Sequence, residues 1–306
     1  MAQIHNLIRI HGKDTARRLA DDADRPLVDA AAAVLAAENP GLSICFSGFA
    51  LTALPHRRLP DGMHWHRKGH NLTLTLIPGS SPDPHGGVAK VHTVPYGPMA
   101  RMILLYLQTE ALKTGDPTVV LGASMRQWLL RMGLSVGGKT AAAVKEQAKL
   151  ISSCFLQFVF NPPGKPERKL NDAIVRNAIF MPESDQPSLW EDSVKLSETF
   201  FAALKDHPVP LAEPAIREIS NDSSAIDAYI WLAYRLHSLT EATPVSWAAL
   251  HRQFGGGYKL LRQFRPRFAD TLRKALAVYP DAQVSMDDDG VILYPSRPPV
   301  PMRQIG

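Results

Sequence analysis

A helix-dominated α+β fold follows from three observations on this sequence. First, one order of elements occurs twice: helix, short strand, helix, glycine-containing turn, basic helix, β-hairpin. It runs from Tyr96 to Phe180 and again from Ser223 to Tyr294, a repeat of architecture with little residue identity. Second, apolar residues recur at the helical period in the long segments and at period two only in short runs such as Asn71-Leu-Thr-Leu-Thr-Leu-Ile77. Third, the basic helix of the second copy carries Arg252, Lys259, Arg262, Arg265, Arg267, Arg273 and Lys274 against one acid, Asp270. A helix–turn–helix closed by a hairpin is the winged-helix arrangement, so two tandem winged-helix domains are expected behind a small mixed N-terminal region. The corresponding segments are 1–93 (helix plus β-hairpin), 94–204, 205–296 and a proline-rich tail, 297–306.

The elements are justified in order along the chain. Residues 1–24 are polar and weakly patterned. Pro26 to Ala37 reads as a helix with proline in its first turn, stopped at Asn39-Pro40. Residues 45–58 read as β-like, residues 57–70 as a basic, partly exposed hairpin, and residues 71–77 as a half-buried strand. The loop 80–87, dense in proline and glycine, marks a domain boundary. A long helix from Tyr96 places Met99, Ile103, Tyr106, Leu107 and Ala111 at helical spacing and ends at Gly115. A strand at 117–121 and a helix at 124–132 follow. The next helix, 139–153, buries Ala141, Val144, Ala148 and Ile151 and turns Ala142, Lys145, Glu146 and Lys149 outward. A hairpin is expected between 155–161 and 173–180. The second copy has a helix at 223–239, a strand at 243–247, a helix at 247–254, the Gly255-Gly256-Gly257 turn and the basic helix ending near Tyr279-Pro280. Its closing hairpin pairs 283–286 with 291–294.

Composition excludes several classes. With 45% hydrophobic and 21% charged residues the 306-residue chain has the balance of a globular protein with a substantial core. Its longest apolar run, Ala30 to Ala37, is too short to span a bilayer, so no membrane partner is expected. Two cysteines form neither a disulfide framework nor a zinc-ligand set, and a reducing cytoplasm is the expected location. The net charge of +5 is modest, but residues 251–274 carry +6, a local field that attracts polyanions.

Two motifs suggest enzymes. Residues 133–140, GLSVGGKT, fit the phosphate-binding pattern G-x-x-x-x-G-K-[ST]. That loop must follow a buried strand, whereas the residues before it have the spacing of a helix; the eight residues therefore read as the turn of a helix–turn–helix. His64-Trp65-His66, with His56 and His70 nearby, resembles the metal site of a rolling-circle nickase. Such an enzyme also needs a tyrosine nucleophile, for which Tyr96 and Tyr106 are available, although Tyr106 reads as core. Two histidines with no third ligand specify little. Asp287-Asp288-Asp289-Gly290 reads as a solvated hairpin turn rather than a cation site. No catalytic residue, metal or cofactor is expected.

In a helix–turn–helix the second helix enters the major groove N-terminus first. This places Lys139 and Thr140 at phosphate or base edges, with Lys145 and Lys149 on the outward face and Arg126 on the preceding helix. Lys165, Arg168 and Lys169 would lie on the loop of the wing. For the N-terminal region, the basic edge of His56, Arg57, Arg58, Arg67 and Lys68 leaves both DNA and partner contact open.

The segments SGFALTALPHRRLP, VPYGPMARMILLYLQTEALKTG, LGASMRQWLLRMGLSVGGKTAAAVKEQ and FGGGYKLLRQFRPRF resemble plasmid-encoded RepA-type replication initiators, over about Cys45 to Val300 and most strongly from Tyr96 to Cys154. The resemblance implies a bacterial, plasmid-associated protein that binds repeated double-stranded sites at the replication origin and promotes duplex opening. It also implies recruitment of the host helicase or its loader, a homodimer formed through one domain, and often autorepression. Tyr258, Lys259, Arg262, Arg265, Arg267 and Arg273 would then belong to the second DNA-reading helix. Pro266 sits awkwardly there: either the helix begins near Pro266 or it is split. The alternative functions are a winged-helix transcriptional repressor and a histidine-dependent nickase.

Overall fold

The N-terminal stretch that reads as polar and unpatterned is helical in the computed structural model, which describes residues 2–39, 41–83, 85–164, 166–179 and 192–300. Helix α1 (Ala2–Leu19) is interrupted at Gly12, whose φ of 77° lies in the left-handed region. It packs on α2 (Arg25–Leu35), which starts on a proline as expected. Asp29 of α2 takes ion pairs from Lys13 and Arg17 of α1, each at 3.2 Å and solvent-exposed, while Ala16 of α1 and Val28 and Ala31 of α2 are buried.

The chain then passes through β1 (Ser43–Phe46) and α3 (Ser47–Leu51). The expected β character of residues 45–58 stops at Phe46. There Phe46 and Phe49 turn onto Phe158 and Phe200 in edge-to-face pairs, with ring centroids 5.2 Å apart for Phe46–Phe158 and 5.7 Å for Phe46–Phe200. Strands β2 (Trp65–Lys68) and β3 (Leu72–Ile77) pair as a hairpin with Asn71 at φ 55° in its turn, so the hairpin expected within 57–70 supplies only β2, and the expected strand at 71–77 is its partner. The short strands β4 (Ser80–Ser81) and β5 (Lys90–Val91) pair across the proline-rich loop.

Helix α4 (Gly97–Thr114) is buried nearly all round and stops at Gly115, φ 70°, in the left-handed cap the sequence predicts. Its buried polar groups are all used. Arg101 donates to the carbonyls of Leu54, Pro55 and Gly97, and Gln108 and Thr109 accept the amides of Phe46 and Ile44. Next come β6 (Thr118–Gly122), α5 (Met125–Arg131), α6 (Gly138–Ser153), β7 (Phe155–Phe160), β8 (Arg168–Ala173), β9 (Val175–Ile179), β10 (Asp192–Leu196) and α7 (Glu198–Asp206).

The strand pairing corrects the expected first hairpin. The strand returning from β7 is β8, with Phe160 opposite Arg168 and Phe155 opposite Ala173. Residues 175–179 instead pair with β10, which also takes β6. The other edge of β7 pairs with β3, giving a four-stranded sheet in the order β2-β3-β7-β8. Its inward rows, Leu72-Leu74-Leu76 and Leu156-Phe158, are buried, as period-two patterning dictates.

Beyond β11 (Pro208–Leu211) lie α8 (Glu213–Glu218), α9 (Ser223–Leu236), β12 (Thr243–Ser246), α10 (Trp247–Phe254), α11 (Leu261–Ala277), β13 (Val284–Met286) and β14 (Gly290–Leu293). β14 lies between β12 and β13. The two copies thus share an order of elements but differ in pairing: β12 joins its own hairpin, whereas β6 joins β10. Tyr229 and Tyr279, with centroids 5.8 Å apart, anchor the core here, and the Tyr229 hydroxyl accepts the amide of Ala212. α2 packs against α8 and α11.

Contacts therefore divide the chain into an inserted unit, Ile44–Pro208, and a discontinuous unit formed by Met1–Ser43 with Val209–Gly306. The divisions differ from segment ends at 93 and 204 because β3 is stitched to β7 and the N-terminal helices pack on α8 and α11. The loop 80–87 lies inside the inserted unit. Helices account for 45% of the described residues and strands for 21%, a mixed, helix-dominated fold as expected.

Candidate nucleic-acid interface

In the inserted unit, α5 begins at Ser124, whose hydroxyl accepts the amide of Gln127 at 3.2 Å. It ends in a Schellman turn: the Gly133 amide donates to the Leu130 carbonyl and the Leu134 amide to that of Leu129, at 3.0 and 2.9 Å. Gly133 has φ 68°, and the buried Leu134 packs the motif shut. The first glycine of GLSVGGKT is thus a helix stop. Gly137 and Gly138 are the N-cap and first residue of α6, and a Cβ on either would meet open space. The motif lies between two helices, so the strand–loop–helix context of a nucleotide-binding loop is absent from these residues.

Lys139 is exposed in the first turn of α6, and the Thr140 hydroxyl lies 3.2 Å from that of Ser135. Of the expected stripe, Val144, Ala148 and Ile151 are buried and Ala141, in the first turn, is half-buried; Gln147 and Leu150 are added, while Ala142, Lys145, Glu146 and Lys149 face outward. The Gln147 side chain is inward because its oxygen accepts the amide of Tyr96. Arg126 is exposed on α5. Arg168 and Lys169, expected on the wing loop, are the first residues of β8 instead; both are exposed, and Lys169 pairs with Glu167 at 2.9 Å. Lys165 lies outside the described residues. Arg67, read as part of a basic edge, is buried, with its guanidinium 5.8 Å from the Trp65 ring centre.

In the discontinuous unit, Ser246 caps α10 through the amide of Ala249. Gly255 is required by close approach, since a Cβ there would press on the His251 ring and carbonyl. His251 closes the turn from the other side, its Nε2–H donating to the Tyr258 carbonyl at 2.9 Å. Phe264 and Phe268 of α11 stack, with centroids 5.0 Å apart, and Phe268 stacks on Phe254. Pro266 neither starts nor splits α11, which begins at Leu261 and runs through it. The bond its missing N–H forgoes would have gone to the carbonyl of Arg262, an exposed residue whose backbone water can reach.

Lys259, Arg262 and Arg267 are exposed, Tyr258 is 38% exposed, and Arg265 is half-buried with its guanidinium 5.5 Å from the Trp247 ring centre. Arg273 is engaged elsewhere: it pairs with Asp24, as Lys274 does with Asp222. The β13–β14 hairpin carries an acidic tip, where the Asp287 carboxylate accepts the amides of Asp289 and Gly290. Its basic counterpart in the inserted unit carries Arg168 and Lys169, so the two hairpins differ in sign.

One feature of the helix starts escaped sequence reading. The first helix of each pair, α5 and α10, has a serine cap; the second, α6 and α11, starts at Gly137 and Leu260 with no side-chain cap bond. Free amides and the positive end of the helix dipole remain at those two starts.

The histidine motif has a different fate. His66 Nδ1 lies 3.0 Å from the Thr75 hydroxyl, and among the described residues no group of three His, Cys, Asp or Glu is placed to hold a metal ion. The Tyr96 hydroxyl donates to Glu146 at 3.0 Å; burial first, then Glu146, pushes its pKa up, opposite to an activated nucleophile. Tyr106 is buried, as its sequence position indicates.

These observations define a mixed α/β protein with two helix–turn–helix elements, each followed by a hairpin. The family model for plasmid-encoded RepA proteins matches residues 94–249, more than half of the chain, and the chain belongs to that family. Its fold is similar to that of domains 2 and 3 of RctB in a selenomethionine crystal structure. That match has a TM-score of 0.53 and 13% identity, covering 84% of this chain and 99% of that one. A second crystal structure of RctB domains 2–3 aligns with a TM-score of 0.42 and 11% identity over 80% of this chain and 93% of that one. No curated protein matches the sequence. Among the described residues, no helix is long and apolar enough to cross a membrane.

Proposed function

We propose that this protein is a plasmid replication initiator that binds repeated double-stranded sites at its origin through two winged-helix elements. α6 and α11 are the reading helices, and the exposed Arg168 and Lys169 of β8 reach backbone phosphate. The observation that carries the reading is the contrast in helix starts within a member of the RepA family. Cations gather at the two uncapped N-termini, Lys139 beside Gly137-Gly138 and Lys259 with Arg262 beside Leu260. Free amides and cations together favour phosphate, and phosphate contacts supply most of the affinity for duplex DNA. The acidic tip at 287–289 is repelled by the backbone and stays off it, so the hairpin of the discontinuous unit serves orientation rather than contact.

Binding at both helices neutralises phosphates and distorts the duplex toward opening. Recruitment of the host helicase or its loader, dimerisation and autorepression complete the proposed role. Electrophoretic titration of the full chain against the plasmid's own origin is the test. Preference for origin repeats over random duplex at moderate salt supports the reading, and equal affinity for both overturns it. Replication of an origin plasmid lacking the gene, with the protein supplied in trans, separates initiation from repression alone.

A further inference from the structure

We infer that Leu260 and Leu261 read thymine methyl groups in the major groove. The inference rests on the proposed entry of α11 into duplex DNA and adds a base preference to it. It stands on residues outside 94–249, the segment matched by the family model.

The core stripe of α11 starts at Phe264 and continues through Phe268 and Leu272, all buried. Leu260 and Leu261 precede that stripe and stay 45% and 37% exposed, beside Tyr258 at 38%. Isolated exposed leucines are ordinary. Three large apolar residues within four positions, at the leading end of the second helix of a helix–turn–helix, are not scattered. Leu260 also occupies the N-cap, with extended backbone at φ −122° and ψ 135°. Leucine is among the least favoured residues at that position. Helices α5, α7, α9 and α10 use Ser or Asp there, with a side-chain bond to the backbone, whereas α3, α4 and α8 start at the buried or half-buried Phe46, Tyr96 and Ala212; Leu260 differs from those three in its exposure.

The occupant is set by charge and groove chemistry. The exposed cations Arg252, Lys259, Arg262 and Arg267 lie within nine positions of the leucines in sequence, and Asp270 is the one acid between 251 and 274. Exposed apolar residues in so basic a segment fit a polyanion that also offers apolar groups. In the major groove that group is the C5 methyl of thymine. The tip is held in place: His251 bonds the Tyr258 carbonyl, the Tyr258 amide bonds the Gly255 carbonyl, and the Tyr258 ring meets Phe264 edge-on at 5.8 Å. α6 has nothing equivalent at its first two positions, which are Gly137 and Gly138.

Uracil keeps the pairing and hydrogen-bonding pattern of thymine and lacks the methyl, so it isolates the contact. The plasmid's origin, amplified with either dTTP or dUTP, is titrated with the full-length protein, its Leu260→Ala/Leu261→Ala variant and its Leu260→Met/Leu261→Met variant. The wild type should bind uracil DNA more weakly by about fourfold for each contacted methyl. The alanine variant should bind both DNAs alike, at an unchanged melting temperature, because neither side chain belongs to the core. The methionine variant should keep the discrimination. Equal wild-type affinity for the two DNAs overturns the inference, and so does full discrimination by the alanine variant; both outcomes leave origin binding standing. Loss of preference for origin over random duplex would sink the inference together with the proposed function.

Discussion

Replacing Gly133 and Gly138 separately by alanine tests whether GLSVGGKT is a helix junction. Gly133 has φ 68°, where a residue with a Cβ is disfavoured by about 1–2 kcal/mol. Alanine recovers about 0.4–1 kcal/mol through the lower entropy of its unfolded chain, so Gly133→Ala should lose roughly 1 kcal/mol. Gly138 is the first residue of α6, and a methyl there meets open space. Gly138→Ala should therefore gain about 0.5 kcal/mol, since alanine is the better helix former. The separation of about 1.5 kcal/mol is more than tenfold in the unfolding constant. Urea unfolding followed by far-ultraviolet circular dichroism measures it. The same added methyl narrows the approach of phosphate to the α6 amides, so origin affinity of Gly138→Ala should fall while its stability rises. A Gly133→Ala protein as stable as wild type, or equal losses in both variants, would refute the junction. Undiminished origin binding by Gly138→Ala would remove phosphate from that helix start.

Lys139→Ala should lower origin affinity about equally for all sequences and reduce the slope of log affinity against log salt by about 1, read from titrations across a salt series. Arg273→Ala should leave DNA affinity unchanged and cost about 0.2–1 kcal/mol of stability, because its partner is Asp24 at a partly exposed pair. His5 is buried with Nε2–H donating to the Ala277 carbonyl, and burial holds its pKa below the usual histidine range. A depressed pKa keeps the folded form neutral, so its contribution is complete above about pH 6.5 and is lost as pH falls toward the folded value. Thermal melts between pH 7 and pH 5 should therefore flatten in His5→Gln relative to wild type. Ser124→Ala should destabilise by about 1 kcal/mol through loss of the α5 cap, measured by denaturant unfolding.

Local signals were well written in this chain. The Gly115 stop and the buried stripe of α6, Ala141 apart, each depend on residues a turn apart, and the sequence places them correctly. Pairings between distant segments left no such trace. Nothing local to Phe155 says that its neighbours on one side are residues 72–77, because β7 is placed by contacts far off in sequence, such as Phe158 on Phe46 and Phe49. α1 was missed because, among its described side chains, only His5 and Ala16 are buried, too few to write an apolar stripe. The candidate contacts fared similarly. Exposure at Lys145 and Lys149 followed from helical period, whereas the diversion of Arg273 to a carboxylate 249 positions away could not.

The discontinuous unit also imposes a timetable on synthesis. α1 and α2 leave the ribosome early, but α8 and α11, against which α2 packs, lie beyond residue 208. The two larger sheets of the inserted unit, β2-β3-β7-β8 and β6-β10-β9, are complete by residue 196, so this unit can close while the remainder is still being translated. At about 5–20 residues per second the N-terminal helices wait many seconds with Leu27, Val28 and Ala31 uncovered. The unit bearing α11 is therefore the later of the two to mature, and newly made chains acquire α6 in folded form before α11.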